Sequence, residues 1–180
     1  MAGIVGAHHT SFTVDQIDRS IAFFRDQLGL ELVYRRQVRE EYFAQIVGIP
    51  GCVVVAALLR IPGTAHHVEL FEYERPRGVP VQPRPCDPGS AHLSLLVDDL
   101  PAMYEQLRAV GAQFVSAPVL IAAGPNRGSY GVYLRDPNGI LIELFQAPPK
   151  LAGGMADRTG AGIGPDDGQT TVGTGRSHGV

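Results

Sequence analysis

The sequence predicts an α+β fold of two successive modules, each running β-α-β-β-β. Three observations carry that expectation. The chain repeats itself: His9-Thr-Ser-Phe-Thr-Val14, a polar stretch, an amphipathic segment and Leu30-Glu-Leu-Val33 correspond to His92-Leu-Ser-Leu-Leu-Val97, an acidic stretch, a second amphipathic segment and Ala112-Gln-Phe-Val115. In each half a histidine precedes a valine by five residues, and units of this size that recur mark duplicated modules. Both amphipathic segments have helical spacing and stop at glycine, with Ile21, Phe24 and Leu28 before Gly29, and Met103, Leu107 and Val110 before Gly111. Finally, each half closes on two strand-like runs around a turn.

The elements follow in order. Residues 9–14 alternate as a strand, and Asp18 is placed to cap the first helix. A short strand at 30–33 leads to an extra short helix near 39–47. Runs at 52–60 and 66–73 flank Ile61-Pro-Gly-Thr-Ala65. Five prolines between 75 and 89 mark an extended linker, since proline fixes φ and donates no backbone hydrogen bond. In the second half Asp99 and Pro101 open the helix, and a strand is expected near 113–116. Runs at 131–135 and 140–146 flank Asp136-Pro-Asn-Gly139, the stronger turn signal because proline presets φ and Asn-Gly tolerates positive φ. These boundaries define one domain over 1–150, with modules at 6–75 and 90–147. Residues 151–180, which hold nine of the 22 glycines, read as a disordered tail unable to offset its ordering entropy.

Composition narrows the function. A formal net charge of -3 argues against a nucleic-acid binder, which carries a basic excess or stripe. No apolar run approaches the roughly 20 residues of a spanning helix, which argues against a membrane partner. The N-terminus lacks a basic region followed by an apolar stretch. Cys52 and Cys86 make neither a disulfide framework nor a CxxC metal pair, so the expected setting is the cytoplasm.

Strand alternation then selects the residues that could carry chemistry. Where Val68 and Leu70 pack, Glu69 faces the other way with His67 and Phe71. Where Leu93, Leu95 and Val97 pack, His92 and Ser94 share the opposite face. Glu143 lies opposite Ile142 and Leu144, and His9 and Ser11 lie opposite Phe12 and Val14. A carboxylate in an apolar strand is costly if buried alone. At matched places in two repeats it implies a common partner, and two imidazoles with two carboxylates suit a divalent first-row metal. The alternative is two glutamates on solvated sheet faces.

Other residues carry less. His66 flanks the Glu69 strand, and Cys86 lies in the linker with nothing beside it to activate a thiolate. Arg35, Arg36 and Arg39 read as a solvated strand end, or as a clamp for an anionic substrate. Glu40 and Glu41 sit where the short helix could bring a second acid or base. Gly124-Pro-Asn-Arg-Gly128 is a loop rather than a phosphate cradle.

These stretches, with Asp18-Arg-Ser-Ile-Ala-Phe-Phe-Arg-Asp-Gln-Leu-Gly29, Val68-Glu-Leu-Phe-Glu-Tyr73 and Asp136-Pro-Asn-Gly-Ile-Leu-Ile-Glu-Leu144, resemble the vicinal oxygen chelate superfamily. That superfamily includes glyoxalase I, methylmalonyl-CoA epimerase, extradiol dioxygenases and antibiotic-resistance proteins. The resemblance covers residues 8–147. It implies that the two βαβββ modules pair into a curved mixed sheet with helices on its outer face, within a chain or across a homodimer. It places metal ligands on His9, Glu69, His92 and Glu143, with His9 preferred to His8 because its spacing to Val14 matches that of His92 to Val97. Gln16 departs from the family's usual aspartate, which the second module keeps as Asp99.

The implied activity is that of an isomerase or epimerase. It would act on a small α-hydroxy-carbonyl or 1,2-dioxygenated substrate through a metal-held enediolate or enolate. The ion would be nickel, cobalt, zinc, manganese or iron, and Glu143 or Glu69 would move the proton. His67, Ser94 and Phe71 would line the substrate. A glyoxalase I-type lyase, an extradiol-type dioxygenase and a non-catalytic drug-binding protein are the alternatives. The dioxygenase reading fits less well, because a fourth ligand at Glu69 removes one open position of a two-His, one-carboxylate iron set.

Overall fold

The structure, a computed structural model, describes residues 1–148. The glycine-rich stretch expected to be disordered lies outside the described residues. The first module comprises β1 (His9–Thr13), α1 (Ile17–Ala22, continuing as a π-helical turn over Phe23–Gln27), β2 (Glu31–Val38), α2 (Glu41–Val47), β3 (Val53–Arg60) and β4 (His67–Arg75). The second comprises β5 (His92–Leu96), α3 (Leu100–Ala109), β6 (Gln113–Phe114), β7 (Val119–Leu120), β8 (Tyr130–Arg135) and β9 (Leu141–Gln146).

Each module closes its own mixed sheet, in the orders β1-β4-β3-β2 and β5-β9-β8-β6, with the additional β7 on β8. The first and last long strands pair parallel in both modules, and the hairpins pair antiparallel. The duplication read from the sequence is therefore a duplication of topology. No strand was expected at 119–120; two residues give no period to read. The strand expected at 30–33 runs on to Val38 past a register shift between Leu32 and Tyr34, so Arg35 and Arg36 lie within it.

One correction concerns the first helix. Asp18 does not cap it; the helix begins at Ile17, which places Asp18 inside its first turn, and Gln16 at the cap position offers no side-chain bond. The Ile17 amide instead donates to Glu72 Oε2 at 2.8 Å, while Asp18 pairs with Arg35 at 2.8 Å. The second module repeats the device, with the Leu100 amide donating to Gln146 Oε1 at 2.8 Å. In both, the capping side chain stands three residues after the glutamate singled out above. Asp99 caps α3 as expected, accepting from the Ala102 amide at 3.0 Å.

A single apolar core joins the helix-bearing faces of the two sheets. Phe24, Val68, Leu70, Leu100, Leu134, Ile142 and Leu144 are each 0% exposed within it, drawn from both modules. Asn138 pins the contact: its Oδ1 accepts from the Asp15 amide at 3.0 Å, and its Nδ2 donates to Ser20 Oγ at 2.9 Å. A smaller cluster of Val38, Phe43, Ala44, Cys52, Val54 and Ala56 lets α2 cover part of the opposite face of the first sheet. The helix expected near 39–47 thus anchors through Phe43 and Ala44. None of the helices among the described residues is long and apolar enough to cross a membrane.

Candidate metal centre

The burial of Val68 and Leu70 forces Glu69 to the other face of β4, and the burial of Ile142 and Leu144 does the same for Glu143 in β9. The parallel neighbours then bring up the histidines. In the first module Ser11 is in register with Glu69 and His9 with His67; in the second Ser94 is in register with Glu143. His9 Nε2 stands 3.2 Å from Glu69 Oε2, and His92 Nε2 stands 3.5 Å from Glu143 Oε2. Two neighbouring ligands with metal bonds of about 2.1 Å lie ~3.0–3.4 Å apart for octahedral to tetrahedral angles. The His9–Glu69 distance of 3.2 Å falls within that range and the His92–Glu143 distance of 3.5 Å just beyond it, so each pair stands at about the spacing of two adjacent positions on one ion. The carboxylates are sheltered, 15% and 21% exposed, while the imidazoles remain more open at 39% and 43%.

The structure gathers the four predicted ligands as two pairs. Among the described residues, no group of three or more His, Cys, Asp or Glu side chains could hold a metal ion. The physical reason is the shared core. Because both modules turn their helix-bearing faces inward, both His–Glu pairs lie on faces turned away from that core. Each chain presents two separate His–Glu pairs.

The remaining candidates separate as follows. Ser94 is exposed beside Glu143. His67 is partly buried, its Nδ1 enclosed without a hydrogen-bond partner among the described residues. Phe71 packs edge-on against Phe43, ring centroids 5.1 Å apart, so its ring is occupied in the smaller cluster. His66 turns to Thr10 Oγ1 at 2.9 Å. The arginines are engaged within the chain: Arg35 on Asp18, Arg36 on Glu40 and Tyr42, and Arg39 on Gln37. Glu40 is a poor acid or base for this site. The Arg36 guanidinium and the Arg39 amide hold its carboxyl down to about 2, so it stays ionised. Cys52 is buried and Cys86 exposed, both free thiols.

Two tyrosines escaped the sequence reading. Tyr133 in β8 is the antiparallel partner of Glu143, and its hydroxyl lies 3.4 Å from His92 Nε2. Tyr34 lies on the Glu69 face, two strands away through Leu58. Burial, and then the neighbouring glutamate charge, push both phenols up, so each remains a protonated donor at neutral pH. Counting register outward from the Asp136-Pro-Asn-Gly139 turn was the available signal for Tyr133, because it pairs that residue with Glu143.

Two mixed sheets from a duplicated βαβββ unit, each with a His–Glu pair, define a class. The profile of the Glyoxalase/Bleomycin resistance protein/Dioxygenase superfamily matches residues 6–144, and the chain belongs to that superfamily. Among curated relatives it is 33% identical over 150 residues to a 2-epi-5-epi-valiolone epimerase from Actinomyces sp., covering 81% of each chain. It is 28% identical to a probable lactoylglutathione lyase from Vibrio parahaemolyticus, over 81% of this chain and 93% of that one. Among solved structures, a glyoxalase family protein from Bacillus cereus superposes with a TM-score of 0.72 at 23% identity, over 81% of this chain and 96% of that one.

Proposed function

We propose that two copies of this chain form a homodimer in which His9 and Glu69 of one copy and His92 and Glu143 of the other hold a divalent metal ion. The assembled site would serve an isomerase or epimerase that moves a proton next to a carbonyl. The observation that carries this reading is the pair of half-sites. Two His–Glu pairs occupy matched registers, each spaced as neighbouring ligands and each facing away from its own chain's core. A C2 dimer brings unlike half-sites together twice, completing two equivalent sites. Leu96, 61% exposed and on the His92 face of β5, is a side chain such an interface would cover.

When bound, the ion supplies Lewis acidity that stabilises negative charge on substrate oxygen. The chain's own groups do the rest. Either Glu143 or Glu69 would accept the proton from carbon on one face, and inversion of a stereocentre would follow when the other, carrying a proton of its own, delivers it to the opposite face. Tyr133 offers a protonated hydroxyl, and Ser94 a second, for substrate oxygens. The relative named as an epimerase supports a small hydroxy-ketone substrate; the relative named as a lactoylglutathione lyase supports the related lyase as the second reading.

Interchain complementation tests the assembly. Glu69→Gln and Glu143→Gln chains are each expected to lose metal binding and activity. Co-folded at equal amounts, they form ~50% heterodimers with one intact site in two, so about one quarter of the sites return. No recovery despite demonstrated mixing would refute a site shared between chains. Metal-loaded wild type should incorporate solvent deuterium next to the carbonyl of cyclic and open-chain α-hydroxy ketones. Exchange only with the adduct of glutathione and a 2-oxoaldehyde would favour the lyase, and no exchange with any of them would refute proton-transfer chemistry.

A further inference from the structure

The half-sites are not equivalent beyond their His–Glu pairs. His8 Nδ1 lies 2.7 Å from His9 Nδ1, on the ring nitrogen remote from Glu69. The two rings meet edge to face, with centroids 5.0 Å apart. His8 is itself held, its ring stacked at 5.8 Å on His67 and its carbonyl accepting from the His67 amide at 3.2 Å. The second module carries Ala91 where His8 would stand, so the residue before His92 offers it no imidazole.

We infer that His8 is a positioning residue for the metal site, acting through His9. The inference rests on the proposed use of His9 as a ligand. A neutral histidine that ligates through Nε2 carries its hydrogen on Nδ1. For His9 the acceptor for that hydrogen is the Nδ1 of His8, 2.7 Å away. The bond fixes the ring's tautomer and rotation, turning Nε2 toward Glu69. Ligating histidines generally need such an outer partner, and its loss costs about 10–100-fold in metal affinity. The backbone carbonyl or carboxylate that commonly fills the role is replaced here by a second imidazole. The stacking on His67 gives the first residue of β4 a physical role: His67 carries the ring that carries His9.

The test measures Co2+ affinity by chelator competition for wild type, His8→Ala, His8→Gln and His9→Ala. Each is accompanied by a thermal melt and by the hyperfine-shifted ring N–H resonances of the Co2+-loaded protein. The expected result is a ~10–100-fold loss of affinity for His8→Ala with an unchanged melt, and partial recovery for His8→Gln, whose amide oxygen can accept the same hydrogen. One shifted ring N–H should exchange faster with solvent in His8→Ala than in wild type. If His9→Ala abolishes binding while His8→Ala binds within twofold of wild type, the positioning role is refuted and the ligand assignment stands. If His9→Ala leaves binding unchanged, the ligand assignment itself fails, and the role of His8 with it.

Discussion

Removing the Asn138 side chain should loosen the contact between the two modules by a calculable amount. Its Nδ2 donates to Ser20 Oγ at 2.9 Å and to Asp136 Oδ2 at 2.8 Å, and its Oδ1 accepts from the Asp15 amide at 3.0 Å. Ser20 is 0% exposed and Asp136 4%, so neither can turn to water when the amide is gone. The Asp15 amide is exposed and can be rehydrated, so that bond counts for little. Two sheltered bonds at about 1 kcal/mol each, one of them to a carboxyl group, with a stranded hydroxyl, give a loss of about 2–3 kcal/mol for Asn138→Ala. For a chain of this size that lowers Tm by about 4–12 °C. Asn138→Asp should be at least as damaging, because it sets a carboxylate against Asp136. The assay is urea denaturation followed by near-ultraviolet circular dichroism, run as a double-mutant cycle with Ser20→Ala. A coupling below about 0.5 kcal/mol, or a single-mutant loss below that figure, would refute the latch.

Leu144→Ala, which truncates a fully buried side chain between the modules, should cost about 2–5 kcal/mol in the same assay; a loss under 1 kcal/mol would contradict the shared core. Glu143→Gln should keep the wild-type melt in the absence of metal yet lose Co2+ affinity, measured by chelator competition, because a neutral amide is a weaker ligand. Glu40 governs part of the acid sensitivity. Its carboxyl is held to about 2 in the folded chain, below the ~4.3 of an unfolded glutamate. Its contribution is therefore complete above ~4.3 and fades as pH falls toward 2. The Tm gap between wild type and Glu40→Gln should narrow from pH 5 to pH 2.5, and a constant gap would count against the Arg36–Glu40 pairing.

Much of this molecule is written locally. The alternation in Val68-Glu69-Leu70 and Ile142-Glu143-Leu144 determines which face each glutamate takes, because adjacent residues of a strand cannot share one. Gly29 at φ 77° and Gly111 at φ 87° end their helical segments in a conformation glycine adopts without strain. The Asp136-Pro-Asn-Gly139 turn sets the β8–β9 hairpin. The duplication carries these local instructions twice, so both His–Glu pairs are legible from spacing.

Other features depend on groups far apart in the chain. Asp18 looked like a cap because capping is judged from near neighbours, but Glu72, 55 positions beyond Ile17, reaches the free amide once β4 lies beside α1. The partnership of Tyr133 with Glu143 depends on hairpin register. Above all, the sequence determined the four candidate ligands and the face each occupies, whereas tertiary packing decided that one chain presents them as two pairs. That outcome follows from both helix-bearing faces burying apolar surface in one core and from Asn138 reaching Ser20, 118 positions away. No local period encodes it, because it depends on which apolar face meets which.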